Sequence, residues 1–300
     1  MRACIVGLGS IGRRYAKILK RLNIEFDVVS SGKGSLTKTM SIQDIQHEVG
    51  FNQHFKTLND AVSNKYNFWI IATPSNLHSE QGAWLLSRGE NVFLEKPVAV
   101  NFQGVELLRA SLKQYQGIAG VGYTLRSHPY VKTLSQLIQE EKFGRAISAN
   151  VIWSSYLPNW HPWEDYKEGY AARSEMGGGV TLTCSHEIDL ILFLFGNLKR
   201  YATNISSSSH LNIPVDQCLD GLFIFESGVS CNLHLDFFQK KSRRTIEVLF
   251  DYGYVKVDFN QHSLQIESDH KITAESLGKN IADIWSSIYQ EQISSYVDTI

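Results

Sequence analysis

Four stretches of this sequence hold residues whose types and order could do chemistry. Gly7-Leu8-Gly9-Ser10-Ile11-Gly12 fits the spacing G-x-G-x-x-G, directly after the apolar run Ala3 to Val6 and directly before Arg13 to Leu22, which carries apolar residues at helical spacing. In that setting Gly7 permits a tight turn, Gly9 lets the backbone approach a pyrophosphate, and Gly12 lets helix and strand pack closely. The anion then rests on the helix N-terminus beside Ser10 and Ile11. A methyl-donor nucleotide and a ligand-free turn are the alternatives left open. Ala72-Thr73-Pro74-Ser75-Asn76-Leu77-His78 and Glu95-Lys96-Pro97 each follow a further β-type run, at the carboxyl edge of a parallel sheet where ligands bind. Finally, Gly177-Gly178-Gly179 leads through Thr183-Cys184-Ser185 to His186, a glycine-flanked histidine at a helix start. Taken singly, Lys96 reads as a surface lysine and His186 as a residue that only satisfies backbone groups.

The kind of dinucleotide is set by the tip of the second strand, where an NAD site carries an acid about 20 residues past the glycines. Here the tip is Ser30-Ser31-Gly32-Lys33. With two hydroxyls, an ammonium and no carboxylate to repel a 2′-phosphate, it suits NADP, with NAD as the alternative. Asp27 lies nearer the strand middle and is a weak rival for the ribose.

These residues need elements to hold them. Runs at Ala3 to Val6, Phe26 to Ser30, Phe68 to Ala72, Asn91 to Leu94 and Ile118 to Val121 alternate with helical stretches, and their lack of polar alternation implies strands buried on both faces. A doubly wound parallel Rossmann sheet over residues 1–121 follows. Residues 122–300 read as an α+β domain for substrate and oligomerisation, on a large, mostly antiparallel, open-faced sheet with strands near 145–157, 200–208, 217–226, 229–238, 243–250, 254–259 and 262–268. Ser185 to Phe195 reads as a helix through Ile188, Leu192 and Phe195. Phe237, Phe238, Tyr252 and Tyr254 are expected on the open sheet face, and a homodimer or homotetramer through that face follows.

Composition narrows the class. The 300 residues carry 29 basic and 30 acidic side chains, so no basic excess draws the chain to nucleic acid or anionic lipid. The apolar run Leu190 to Phe195 is far short of a membrane span, and the N-terminus lacks a signal-peptide pattern, so a cytoplasmic protein is expected. Cys4, Cys184, Cys218 and Cys231 are scattered and read as reduced core thiols; no metal is expected.

The segments GLGSIG, ATPSNLH, EKP, GYTLRSHP (Gly122 to Pro129) and GGGVTLTCSHEID (Gly177 to Asp189), in this order and spacing, resemble the Gfo/Idh/MocA family of sugar-type oxidoreductases over nearly the whole chain. The resemblance implies hydride transfer between a nicotinamide and a secondary hydroxyl or carbonyl of a sugar, sugar acid or sugar nucleotide. It implies that Ala72, Thr73, Pro74, Asn76 and His78 line the dinucleotide, that Glu95 helps fix the nicotinamide ribose, and that the Lys96–Pro97 bond is cis. Lys96 then reaches the substrate oxygen and His186 exchanges its proton, as loss of a hydride from a carbinol requires. Family members often carry an aspartate where this chain has Leu182 or Thr183; Thr183 can orient His186 or substrate only by hydrogen bonding. That loss favours a rival class, a non-catalytic nucleotide-binding sensor. Asp189 reads as a structural cap more than a replacement acid. Tyr123, Arg126, His128, Trp163, Tyr170 and Arg173 are the further candidates for substrate binding, the aromatics for a sugar face and Arg173 for a carboxylate or phosphate. The stretch WEDYKEGYAARSEMGGG is most similar to members from bacterial surface-sugar pathways. Tyr289 to Ile300 reads as an amphipathic helix. Family chains usually continue past such a helix, so a short member or a shortened chain is expected.

Overall fold

A computed structural model of the chain describes residues 1–32, 40–268, 271–276 and 281–300, so Lys33 lies outside the described residues. The chain divides into two units, Met1–Gly122 with Tyr289–Ile300, and Tyr123–Ile288. The expected boundary at 121/122 is off by one residue, but the last twelve residues belong with the first unit.

That unit runs β1 (Arg2–Val6), α1 (Ser10–Arg21), β2 (Glu25–Val29), α2 (Ile42–Val49), β3 (His54–Phe55), α3 (Leu58–Ala61), β4 (Phe68–Ile71), α4 (His78–Leu86), β5 (Val92–Leu94), α5 (Phe102–Gln114) and β6 (Ala119–Val121). The six strands are ordered β3-β2-β1-β4-β5-β6 and all pairings are parallel. The chain therefore reverses its direction of growth between β1 and β4, the switch point at which doubly wound sheets open a crevice. Ile5, Val28, Ile70 and Phe93 pack on one face with α1 and α2, whereas Trp69, Ile71 and Leu94 pack on the other with Leu85 and Leu108. Each such fully buried side chain contributes about 1.5–3 kcal/mol of transfer free energy.

The second unit runs α6 (Pro129–Gln139), β7 (Ala146–Ser154), α7 (Val180–Thr183), α8 (Ser185–Phe195), β8 (Leu198–Ser206), β9 (Cys218–Phe225), β10 (Ser230–Asp236), β11 (Arg243–Phe250), β12 (Gly253–Asp258), β13 (Ser263–Ser268) and β14 (Lys271–Ser276). Its eight strands are ordered β14-β13-β12-β11-β7-β10-β9-β8, antiparallel except where β10 meets β7. Period-two alternation puts Val151, Leu233, Phe223, Val248 and Val255 under the helices. The opposite face carries a cross-strand row from Leu222 through Asn232, Asn150, Glu247 and Lys256. A last helix, α9 (Ile281–Val297), crosses the unit boundary in sequence. Tyr289, Ile293 and Tyr296 fill the first unit's core, and the Tyr296 hydroxyl donates to the Ile118 carbonyl at 2.9 Å.

Three expectations about side-chain placement change. Helix α8 buries Glu187, Leu190, Ile191, Leu194 and Phe195, a stripe at i, i+3, i+4, i+7, i+8; Ile188 is only partly buried and Leu192 is 42% exposed. Phe237 is not on the open face: it is 0% exposed, with its ring edge-on to Trp160. Apolar side chains on the open face include instead Leu222, Ile224, Leu249 and Ile152, with Tyr254 opposite Leu249. Cys218 likewise is not a core thiol like Cys4, Cys184 and Cys231, but partly exposed.

His128 is the largest correction. It is 0% exposed, its Nδ1 accepts the Tyr130 amide at 3.2 Å to cap α6, and its ring packs against Phe259, His262 and Trp285, so it has no surface to offer a substrate. Burial, with the nearby His262 and Arg244, pushes its pKa down to about 4. The unfolded chain therefore binds the extra proton between the ordinary imidazole pKa and about 4, and stability is lost as pH falls through that window. The full loss is on the order of 3 kcal/mol. His128→Asn, which keeps an acceptor for the Tyr130 amide, should be less stable at pH 7 and lose less on going to pH 4.5 in urea unfolding. Parallel pH slopes for the two proteins would contradict this account.

Candidate functional site

The glycine loop joins β1 to α1 at the switch point. Gly7 has φ +101°, and a Cβ there would sit 2.6 Å from the Ala72 carbonyl oxygen. A Cβ on Gly12 would lie 1.9 Å from the Gly7 carbonyl oxygen, so only hydrogen fits at either place. Gly9 differs: a Cβ there would meet no protein atom within 4 Å, leaving an open approach to the backbone. Gly9 is the N-cap of the twelve-residue α1, no side chain caps that end, and its first turn holds no acid. Free amides, the positive end of the helix dipole and an open approach together make a cradle for a pyrophosphate. Ser10 is exposed there and Ile11 partly so.

At the end of β2, Ser30 is partly buried and Ser31 exposed; the Ser30 carbonyl meets His54 Nε2 at 2.9 Å. Asp27 is no ribose ligand. It is 0% exposed and takes Arg2 Nη2 and the Tyr66 hydroxyl, each at 2.6 Å, which ties strand ends together.

Beyond β4 and β5 the loops brace each other. His78 is 1% exposed, with Nδ1 2.8 Å from the Pro97 carbonyl oxygen and Nε2 2.8 Å from that of Thr73. It therefore positions the edge rather than touching a ligand, which corrects its expected role. Thr73 donates its hydroxyl to Gln81 at 2.7 Å, whereas Pro74 and Asn76 are exposed and Ala72 partly so. The Lys96–Pro97 bond is cis. Lys96 is partly buried. Glu95 is 7% exposed, accepts the Tyr15 hydroxyl on one oxygen and the Lys96 amide, at 3.2 Å, on the other. Burial raises its pKa against the hydrogen bond from Tyr15 and the charge of Lys96. Tyr15 is itself wedged edge-on between Phe93 and Tyr289. Its role was not visible in sequence; its place in α1, one turn past Gly12, is the only trace.

In the second unit, the segment before His186 is shaped by a residue that no motif indicated. Asp216 Oδ2 accepts the Thr181 amide and hydroxyl at 2.8 and 2.7 Å, and its carbonyl accepts the Val180 amide at 2.9 Å. Gly179, at φ +99°, has to be glycine because a Cβ would fall 1.9 Å from Asp216 Oδ1. After this anchored turn, α7 delivers Thr183, 7% exposed, and α8 opens with Ser185 and His186. The His186 ring stands edge-on to Tyr123, centroids 5.8 Å apart. The next residue, Glu187, is 2% exposed and takes Arg244 Nε at 2.7 Å, fixing the start of α8 to β11.

Of the remaining expected substrate contacts, the two arginines are held by carboxylates and the two aromatics stand exposed. Arg126 is committed to Asp189, Nε to Oδ2 2.8 Å, with its guanidinium 5.1 Å from the Phe193 ring centre. Arg173 places Nε 2.6 Å from Glu175, so its fork is already held by a carboxylate. Trp163 is 79% exposed, and Tyr170 39% exposed at the start of a 3-10 turn. His186 and Tyr123 are thus brought together, while Arg126, Arg173 and His128 have partners of their own.

Known proteins can be set beside this geometry. Residues 1–123 match the family model described as "Oxidoreductase family, NAD-binding Rossmann fold", and residues 131–256 match "GFO/IDH/MocA C-terminal domain". The chain is 28% identical over 181 residues to 1,5-anhydro-D-fructose reductase of Ensifer adhaerens, covering 59% of this chain and 53% of that protein. It is 23% identical over 228 residues to glucose-6-phosphate 3-dehydrogenase of Bacillus subtilis (strain 168), covering 71% and 61%. The chain thus spans about half the length of the first of these and somewhat more of the second. Among solved structures, levoglucosan dehydrogenase in complex with NADH and levoglucosan superposes with a TM-score of 0.84 at 14% identity, over 99% of this chain and 90% of that one. The WlbA dehydrogenase from Bordetella pertussis, in complex with NADH and UDP-GlcNAcA, gives a TM-score of 0.74 at 18% identity, over 99% and 83%. These two likenesses establish the fold. Because the two family models fit its two halves in order, and the fold is the one that such dehydrogenases share, this chain belongs to the Gfo/Idh/MocA oxidoreductase family.

Proposed function

We propose that the chain is an NAD(P)-dependent oxidoreductase acting on a secondary hydroxyl or carbonyl of a sugar, sugar acid or sugar nucleotide. The observation that carries this reading is the open approach at Gly9 over an uncapped helix N-terminus, next in the sheet to the edge that bears Thr73, Glu95 and Lys96. A bound dinucleotide supplies or takes up the hydride. The chain's own residues do the rest: amides at the start of α1 hold the pyrophosphate, Lys96 polarises the substrate oxygen, and His186 exchanges its proton. Tyr15 and His78 hold Glu95, Thr73 and Pro97 in place around that edge. Reductases and dehydrogenases of sugars among the relatives support the substrate class.

One observation favours a second reading. Thr183 stands where an acid is common, and a chain lacking that acid could bind nucleotide as a sensor without turnover. Purified protein assayed with either cofactor against sugars, keto-sugars and sugar nucleotides separates the two. Turnover is expected, and Lys96→Met and His186→Ala should each lower kcat about 10²- to 10⁴-fold while dinucleotide affinity changes little. Turnover that survives both substitutions would remove these roles, and binding with no turnover at all would favour the sensor.

For the cofactor, Ser30 and Ser31 support NADP, because among the described residues 30–32 that follow β2 none carries a carboxylate to oppose a 2′-phosphate. Ser30→Asp should weaken NADP binding at least tenfold and strengthen NAD binding, measured by fluorescence titration. Equal responses to the two nucleotides would refute the preference.

A homodimer or homotetramer through the open sheet face is proposed as the assembly. Leu222 and Leu249 are 45% and 47% exposed on that face, among side chains able to pair across an isologous contact. Sedimentation velocity should show an oligomer that Leu222→Glu shifts toward monomer; a wild-type monomer at tens of micromolar would rule it out.

A further inference from the structure

On the open face of the second unit's sheet, Cys218 and Asp220 lie two residues apart on β9, and β10 sets Asp236 opposite Cys218 and His234 opposite Asp220. Positions two apart on one strand and opposed across a ladder share a face, so four side chains of metal-ligating types stand on one patch of pleated backbone. His234 Nδ1 is 2.7 Å from Asp220 Oδ1, and the Cys218 thiol donates to Asp220 Oδ2 at 3.6 Å. One ligand atom from each of the three residues lies within 4.8 Å of the others. A tetrahedral zinc ion with bonds of about 2.0–2.3 Å holds its ligand atoms about 3.3–3.8 Å apart, a spacing that small side-chain rotations reach from here.

A separate feature points the same way. The other ring nitrogen of His234, Nε2, is 2.9 Å from Asp236 Oδ2. Asp236 is 5% exposed, and its Oδ1 accepts the amides of Phe238 and Gln239 at 2.7 and 2.9 Å. A carboxylate locked by backbone amides and orienting the far side of an imidazole is the outer support that metal-binding histidines use. In the single chain the near side is open, the Asp220 side chain being 57% exposed and the His234 side chain 38%.

We propose that Cys218, Asp220 and His234 bind a borderline-soft divalent cation, zinc foremost, with Asp236 orienting the imidazole and water as the fourth ligand. The ion takes the place of two hydrogens that now point at Asp220, one from Nδ1 and one from the thiol, and both protons leave to solvent. Thiolate, imidazole and carboxylate together suit zinc far better than magnesium or calcium, which take oxygen donors. The other three cysteines are buried, which leaves Cys218 as the thiol a metal can reach.

The test uses the untagged full chain, stripped with chelator and titrated with cobalt(II), then zinc(II). One equivalent of cobalt should bind with a thiolate-to-cobalt absorption band and tetrahedral visible bands, and zinc should displace it. Cys218→Ser should abolish the thiolate band and, like His234→Gln, weaken binding at least a hundredfold. Asp236→Asn should keep the band and weaken binding about 10- to 100-fold. Unfolding midpoints recorded beside each titration identify any variant that fails to fold, and the wild-type titration decides the matter by itself in that event. A wild type that takes up no equivalent with a thiolate band, or a band that persists in folded Cys218→Ser, overturns the proposal.

Discussion

The nucleotide-binding unit depends on how closely three backbone segments approach at the carboxyl ends of β1 and β4. Side chains at positions 7 and 12 would collide with carbonyl groups of Ala72 and Gly7, so the crevice exists only because two hydrogens stand where methyl groups would be. From that approach follow the direction of α1, the exposure of its first amides, and the placement of the loop that His78 ties to Pro97. Gly9 has no such constraint from the protein itself, and this difference between three glycines of one motif separates packing from ligand approach.

A comparable constraint shapes the second unit. His186 opens α8 because Gly179 and Asp216 fix the turn before α7, and because Glu187 is pinned by Arg244 immediately after it. Two buried or half-buried carboxylates therefore hold the histidine's backbone from either side. Their bonds to Thr181 and Arg244 position the histidine, and in the proposed chemistry the imidazole handles the proton.

Much of this was legible in the sequence. The parallel sheet announces itself through short continuous apolar runs, since strands covered on both faces have no polar side to show. The antiparallel sheet is legible from longer runs rich in aromatic and β-branched residues. What escaped were partnerships between distant residues. Arg126 and His128 read in sequence as substrate contacts, yet Asp189, 63 residues on, holds the arginine, and Phe259, His262 and Trp285 close around the histidine. Asp216 and Tyr15 lie in no motif, because their partners are 35 and 80 residues away. For α8 the error was one of phase: a helix apolar nearly all round offers several stripes, and only tertiary packing picks the one that contains a charged Glu187.

The division of α9 has a consequence for synthesis of the chain. Tyr289, Ile293 and Tyr296 complete the hydrophobic cluster beneath β1, β4 and β5, yet they are made more than 160 residues after β6. A ribosome making this protein exposes an almost finished nucleotide fold whose underside stays uncovered until α9 has been made. Early folding of the leading unit, the ordinary course for tandem domains, is here held open until α9 arrives.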